Sequence, residues 1–184
     1  TNLPLFNAIE WTLSNNVKIV YRKADYEKDN VLLTAFSFGG ISKLDDDLVL
    51  CANLLPTFIS FYGAGDYDNV TLNKMLSGKK ASLTMGLSET VDQISGSSTP
   101  RDFETLLQLL YLRLAEPRFD KEAHNAVITR YSALLENMEK NPDKMMSDSL
   151  SLITTGYNPR TPILNKDARS EERRVGKECT SVCR

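Results

Sequence analysis

Between Thr99 and Met138 the apolar residues fall into two helical stripes separated by Pro117. A chain that carries two one-sided helices must supply a second layer to bury them against. Thr99 is a natural N-cap, and Pro100 stands at the first helical position, where a missing N–H removes no bond. Phe103, Leu106, Leu107, Leu110, Tyr111 and Leu114 then recur at helical spacing. Asp120 caps the second helix, whose stripe is Ala123, Val127, Tyr131, Leu134, Leu135 and Met138. Asn141-Pro142 ends it, and a weaker helix from Asp143 to Ile153 closes at Gly156.

The residues before Thr99 supply the candidate partner layer. Residues 8–13 (AIEWTL) and 17–22 (VKIVYR) are short β-like runs around Ser14-Asn15-Asn16, which is hairpin chemistry. Asp29 to Phe38 is a third strand, rich in β-branched and aromatic residues and stopped by Gly39-Gly40. Leu48 to Tyr62 is long enough for a helix, with Pro56 implying a kink or a late start and Gly63-Ala64-Gly65 a stop. A short helix from Asn69 to Leu76 follows, closed by Gly78. Ala81 to Gly86 and Thr90 to Gly96 are two more strands joined at Leu87-Ser88-Glu89. The order β-β-β-α-α-β-β-α-α-α predicts an α+β two-layer domain, a mainly antiparallel sheet covered on one face by helices.

Composition narrows the function. With 41% hydrophobic and 25% charged residues and a formal net charge of -2, the chain has no nucleic-acid footprint. No apolar run reaches the length of a membrane-spanning segment. Thr1 to Asn7 has no basic start followed by an apolar stretch; since the chain does not open on Met, residue 1 reads as a cut or processed end. From Ala168 the text ARSEERRVGKECTSVCR loses all periodicity. It resembles a cloning or vector-derived tail, so residues 1–167 are taken as the domain and 168–184 as a disordered appendage. Two of the three cysteines, Cys179 and Cys183, lie in it; Cys51 sits in an apolar stretch as a small core residue.

Catalytic chemistry is scarce. His124 is the single histidine and lies beside the second stripe, so a zinc trio has no second imidazole. There is no nucleophile elbow, P-loop or dinucleotide fingerprint, and Gly63-Ala64-Gly65 lacks the further residues such a loop needs. Asp45-Asp46-Asp47 fails the calcium-loop pattern and reads as a solvated turn favouring a helix N-terminus. Asn69-Val70-Thr71 matches a glycosylation sequon, a pattern common by chance.

Four segments carry a resemblance: FNAIEWTLSNNVKIVYRKAD, LLTAFSFGGIS, LTMGLSETVDQISGSSTPRDFETLLQLLYL and EPRFDKEAHNAVITRY. Their order and spacing resemble the pitrilysin/insulinase family of zinc metallopeptidases from about Phe6 to about Pro162, nearest to the first domain of the C-terminal half in long bacterial members. The resemblance implies four related domains in two halves that close around a peptide, with the inverted motif H-x-x-E-H in the first domain alone. In this chain the motif would fall on the segment LVLCANLLPTFISFY. Its ligand positions become Leu54, Thr57 and Phe58, or Pro56, Ile59 and Ser60, none of which ligates zinc as His or carboxylate does. Glu136 lies near the place of the family's distant Glu.

The expectation is therefore a domain with no catalytic, cofactor-binding or metal residues, zinc being expected in a missing catalytic domain. The implied partners are the catalytic half of the same parent protein and an extended peptide substrate, and the implied compartment of the parent is the periplasm or cell envelope. A zinc-free scaffold or assembly subunit on the same fold is the alternative. Leu107→Ala is expected to cost roughly 2–5 kcal/mol as a core truncation, with Glu104, Arg113 and Glu136 tolerant. Deleting residues 168–184 is expected to leave the melting temperature unchanged; a large drop would make the tail part of the fold.

Overall fold

The structure is a computed structural model and describes residues 1–138 and 140–163. The chain divides into two units, residues 1–30 and the remainder from Val31. The tail from residue 168, with Cys179 and Cys183, lies outside the described residues.

The first unit is a three-stranded antiparallel sheet in the order β1-β2-β3, with β1 at Asn2–Leu3, β2 at Ala8–Thr12 and β3 at Lys18–Arg22. The predicted hairpin is present. Leu13 N–H donates to Val17 O at 2.9 Å, and Asn16 takes the left-handed conformation (φ 66°), which Asn tolerates better than most residues. Trp11 and Tyr21 stack at 6.0 Å between ring centroids across β2 and β3.

In the second unit β4 (Val31–Phe38), β5 (Ala81–Leu87) and β6 (Val91–Ser98) form an antiparallel sheet in the order β4-β6-β5. The register pairs Thr34 with Ser95 and Thr84 with Ser95. The helices are α1 (Val49–Phe61), α2 (Asn69–Met75), α3 (Phe103–Ala115), α4 (Lys121–Met138) and α5 (Pro142–Thr154). The α+β class and the antiparallel pairing follow the sequence reading. Helix α1 begins before Pro56 and runs through it, entered by a 3-10 turn at Asp46–Leu48.

The caps act as their chemistry requires. The Thr99 side chain accepts from Asp102 N–H, Asp120 Oδ1 accepts from Glu122 and Ala123 N–H, and Asn141 Oδ1 accepts from Asp143 N–H. Asp102 does more: buried, it accepts from Lys80 N–H at 2.9 Å and from Thr99 Oγ1 at 3.1 Å, tying the start of α3 to the approach to β5. The Lys80 bond above all, then Thr99 and the nearby Lys79 and Arg101, hold its carboxyl below the usual aspartate range.

Helix packing departs from the expected stripes. α3 does lie on β5 and β6, but α4 packs on α1 rather than on the sheet. On α3 the inward residues are Leu106, fully buried, and Leu109, while Leu107 is 43% exposed and Tyr111 and Leu114 face outward. The helix is apolar nearly all round, so spacing alone admitted two stripes one position apart. Leu106 seats where β6 carries Gly96: a Cβ there would lie 2.9 Å from Leu106 Cδ1. On α4, Val127 and Leu135 are buried and Leu134 is exposed.

The expected tolerance of Arg113 is also overturned. Its guanidinium Nη1 donates to Ile59 O, Tyr62 O and Gly63 O at 3.1, 3.0 and 3.0 Å, closing the C-terminal carbonyls of α1 from another helix. Burial pushes its pKa down from the usual arginine value. Gly63 is required beside it, because a Cβ would sit 1.9 Å from Tyr67 O.

Between α1 and α4, Leu54, Phe58, Tyr62 and Val127 form a buried cluster, with Ala123, Ile128 and Tyr131 against it. His124 closes this cluster: Tyr62 Oη and His124 Nδ1 share a hydrogen bond at 2.8 Å, and the imidazole tilts against Phe58 and Phe119. Desolvation lowers the His124 pKa. The unfolded chain, with a pKa of about 6.5, then binds the proton more readily than the folded one. Stability from the neutral imidazole is full above that value and is lost as pH falls through the folded pKa.

Two measurements check this packing. Leu106→Ala is expected to cost roughly 2–5 kcal/mol and Leu107→Ala under about 1 kcal/mol; equal costs in equilibrium denaturation would contradict the inward face assigned to α3. His124→Gln is expected to flatten the loss of stability between neutral pH and about pH 5, leaving the steeper loss at lower pH, where carboxylates such as Asp68 and Asp102 protonate. A pH–stability curve with the same slope in the variant would place the titration elsewhere.

Candidate functional site

Helix α1 carries the positions where the resemblance would place metal ligands, and its residues there are engaged in packing. Leu54 and Phe58 are buried in the cluster with Val127. Thr57 is half-buried between them in sequence, and its carbonyl accepts from Ser60 Oγ at 2.6 Å. In the other register, Pro56 and Ile59 look toward the sheet and Ser60 is exposed. Neither set fits zinc, which takes imidazole, thiolate or carboxylate ligands. Among the described residues no three His, Cys, Asp or Glu side chains converge on a point where an ion would be held. Glu136 is exposed on α4 beside the buried Leu135, and His124 is engaged with Tyr62 and its aromatic neighbours.

The other sequence candidates resolve into structural parts. Asp46 opens the 3-10 turn before α1 and accepts from Arg160 Nη1; Asp45 precedes the turn without a side-chain capping bond. Arg160 also donates to Leu44 O at 3.1 Å and Ile41 O at 2.7 Å, fastening the segment after α5 to the loop before α1. Sequence spacing cannot reveal a bond across more than a hundred residues to backbone carbonyls. Ala64, between Gly63 and Gly65, is fully buried and bridges to Tyr67 and to Pro117, so this triplet is a chain crossing rather than a phosphate loop. Asn69 is the first residue of α2 and accepts from Asn73 through its side chain. Cys51 is half-buried on α1.

Beside α1 lies an apolar concave surface. A groove of about 290 Å³ runs between α1 and the sheet, lined by Leu55, Pro56 and Ile59 of α1, Ala35 of β4, Met85 of β5 and Leu114 of α3. Its exposed walls are almost wholly apolar, with Ser37, Asp92 and Gln93 also among the lining residues, so it suits the holding of an apolar chain.

No family model matches the chain. In sequence it is similar to the zinc protease PQQL-like of Arabidopsis thaliana, 30% identical over 82 residues, which is 45% of this chain and 9% of that protein. In structure it is similar to the periplasmic protease PqqL from Escherichia coli, with TM-score 0.71 and 16% identity, covering 93% of this chain and 18% of that one. It is likewise similar to the ferredoxin protease FusC, solved with Arabidopsis ferredoxin, with TM-score 0.74 and 16% identity over 95% of this chain and 20% of that one. A peptidase M16 inactive domain from Pseudomonas fluorescens matches with TM-score 0.61 and 20% identity over 79% of this chain and 35% of that one. The chain thus spans less than a tenth of the curated relative and at most about a fifth of the two longer solved proteases. The structural likenesses, all at low identity, show that the chain has the fold of domains found in these peptidases, and the 82-residue stretch adds a sequence similarity to a zinc protease.

Proposed function

We propose that this chain is a non-catalytic domain of a zinc-dependent metalloendopeptidase, equivalent to the first domain of the C-terminal half. Its task is to wall the chamber that closes around a peptide, while zinc and the hydrolytic step reside in the catalytic half of the same parent protein. The observation that carries this reading is the burial of Leu54 and Phe58 against Val127, at positions where a catalytic domain would present zinc ligands. No step of hydrolysis runs through residues so placed. The likeness to an inactive peptidase domain supports the same assignment.

The substrate on this reading is an extended peptide, bound through its backbone and through apolar contacts, which makes recognition tolerant of sequence. The parent would work in the periplasm or cell envelope, a compartment shared with the periplasmic protease PqqL of Escherichia coli.

The native gene tests the proposal. It is expected to encode several hundred residues, with H-x-x-E-H upstream of this segment, and the purified parent to hold zinc and cleave unstructured peptides. The 184-residue chain alone is expected to bind no stoichiometric zinc after dialysis and to cleave none of those peptides. A short gene without the motif would transfer the chain to the scaffold class. About one zinc per isolated chain, lost on His124→Ala, would overturn the non-catalytic assignment.

A further inference from the structure

Helix α4 is fastened beyond both of its ends and docked along its length. Ahead of it, Gly65 N–H donates to Glu116 O at 2.9 Å and Arg118 Nη1 donates to Asp66 O at 3.0 Å. Beyond α5, Arg160 holds Ile41 O, Leu44 O and Asp46. Between these anchors α4 packs chiefly on α1, and α5 buries none of its side chains fully. All these residues belong to the unit that begins at Val31.

The docking seam contains a group whose ordinary titration lies near neutral pH. His124 Nδ1 shares its 2.8 Å hydrogen bond with Tyr62 Oη, and the ring packs against Phe58 and Phe119 with centroids 5.1 and 5.3 Å away. Tyr62 stands at the C-terminal end of α1, where its carbonyl accepts from Arg113 of α3. Among the described residues no carboxylate forms an ion pair with the imidazole. Asp120 Oδ1 takes the Glu122 and Ala123 amides, Lys121 and Glu122 are exposed on the first turn of α4, and Arg113 and Arg118 are turned to backbone carbonyls. A proton added to the docked ring therefore places a charge among aromatic side chains, a cost that the same imidazole does not meet in water. Burial accordingly pushes the His124 pKa below its ordinary value.

We propose that α4 is a proton-sensitive strap: protonation of His124 raises the fraction of molecules in which α4 lifts from α1, while α1, α3 and the sheet of β4, β5 and β6 stay in place. The opening is local because both anchors lie outside the seam and because Arg113 holds the end of α1 from α3, not from α4. Burial of Leu54, Phe58 and Val127 opposes the lift at every pH, so the proton changes the size of a minor population. Above about pH 6.5 the ring is neutral whether α4 is docked or lifted, and docking is full. Below it the lifted state binds the proton more readily, so the ratio of lifted to docked α4 grows by at most about tenfold per pH unit. The growth stops below the pKa of the docked ring.

Hydrogen–deuterium exchange of the 184-residue chain from about pH 8 to about pH 5, corrected for the intrinsic pH dependence of amide exchange, tests the strap. Protection of α4 is expected to fall by up to about tenfold per pH unit below about pH 6.5, with α3, β5 and β6 unchanged. His124→Gln, which keeps a side-chain acceptor for Tyr62 Oη, is expected to make α4 protection independent of pH over that range. The chain has one histidine, so its ring resonance also reports the titration in the unsubstituted chain. Its midpoint is expected below about 6.5, at the pH where the fall in α4 protection levels off. Protection lost equally from α4, α3 and the sheet overturns the local opening. A ring titration with no change in α4 protection overturns the link to docking. The same fall in His124→Gln places the proton on another group and overturns the role of His124.

Discussion

The contact on which the rest of this fold depends is the guanidinium of Arg113 set against the last carbonyls of α1. A helix end leaves four carbonyl groups without intrahelical partners, and burying them unanswered is unfavourable. Arg113 reaches them from α3, a helix that itself lies on β5 and β6. That one side chain therefore fixes the end of α1 relative to the sheet. It also fixes the crossing at Gly63, where the close approach of Tyr67 O admits no side chain. Arg160 plays a similar part at the other end of α1 through Ile41 O, Leu44 O and Asp46. Two arginines, each answering backbone carbonyls, frame the helix.

Held at both ends, α1 has two faces to spend. One meets α4 through Leu54, Phe58 and Tyr62; the other looks toward the sheet through Leu55, Pro56 and Ile59. A metal centre on the first face would require polar ligands with room for water and substrate, and the same volume is filled here by Val127, Ala123 and Tyr131. Packing and metal binding are alternatives for that face, and this sequence has taken packing. His124 belongs to the same choice. Its Nδ1 bonds Tyr62 Oη and its ring tilts on Phe58 and Phe119, so it serves the seam as a polar edge of an aromatic cluster.

Much of the fold was legible in the sequence because its signals are local. Ser14-Asn15-Asn16, Thr99-Pro100, Asp120 and Asn141-Pro142 mark their turns and helix starts through the conformations those residues favour, and the structure uses each of them so. The inward face of α3 was not legible, since leucines at 106, 107, 109, 110, 112 and 114 satisfy more than one helical stripe and only the seat at Gly96 decides. The partner of α4 was hidden for the same reason: a stripe reveals that a face is buried, not whether a sheet or a helix buries it. Arg113 and Arg160 were missed because their partners are carbonyls, which every residue carries, so no pattern of side chains points to them. At the candidate site, the apolar groove could not be read from the sequence, because it is formed by residues from five elements.

Denaturation of Arg113→Met, with and without a zinc chelator, tests most directly whether α1 is held by packing and capping rather than by metal. The expected result is a loss of roughly 1.5–3 kcal/mol for the variant, the range for buried hydrogen bonds to a charged group, and no change in the unsubstituted chain on adding the chelator. A variant as stable as the unsubstituted chain, together with destabilisation by the chelator, would contradict the structural role given to Arg113 and the metal-free reading of α1.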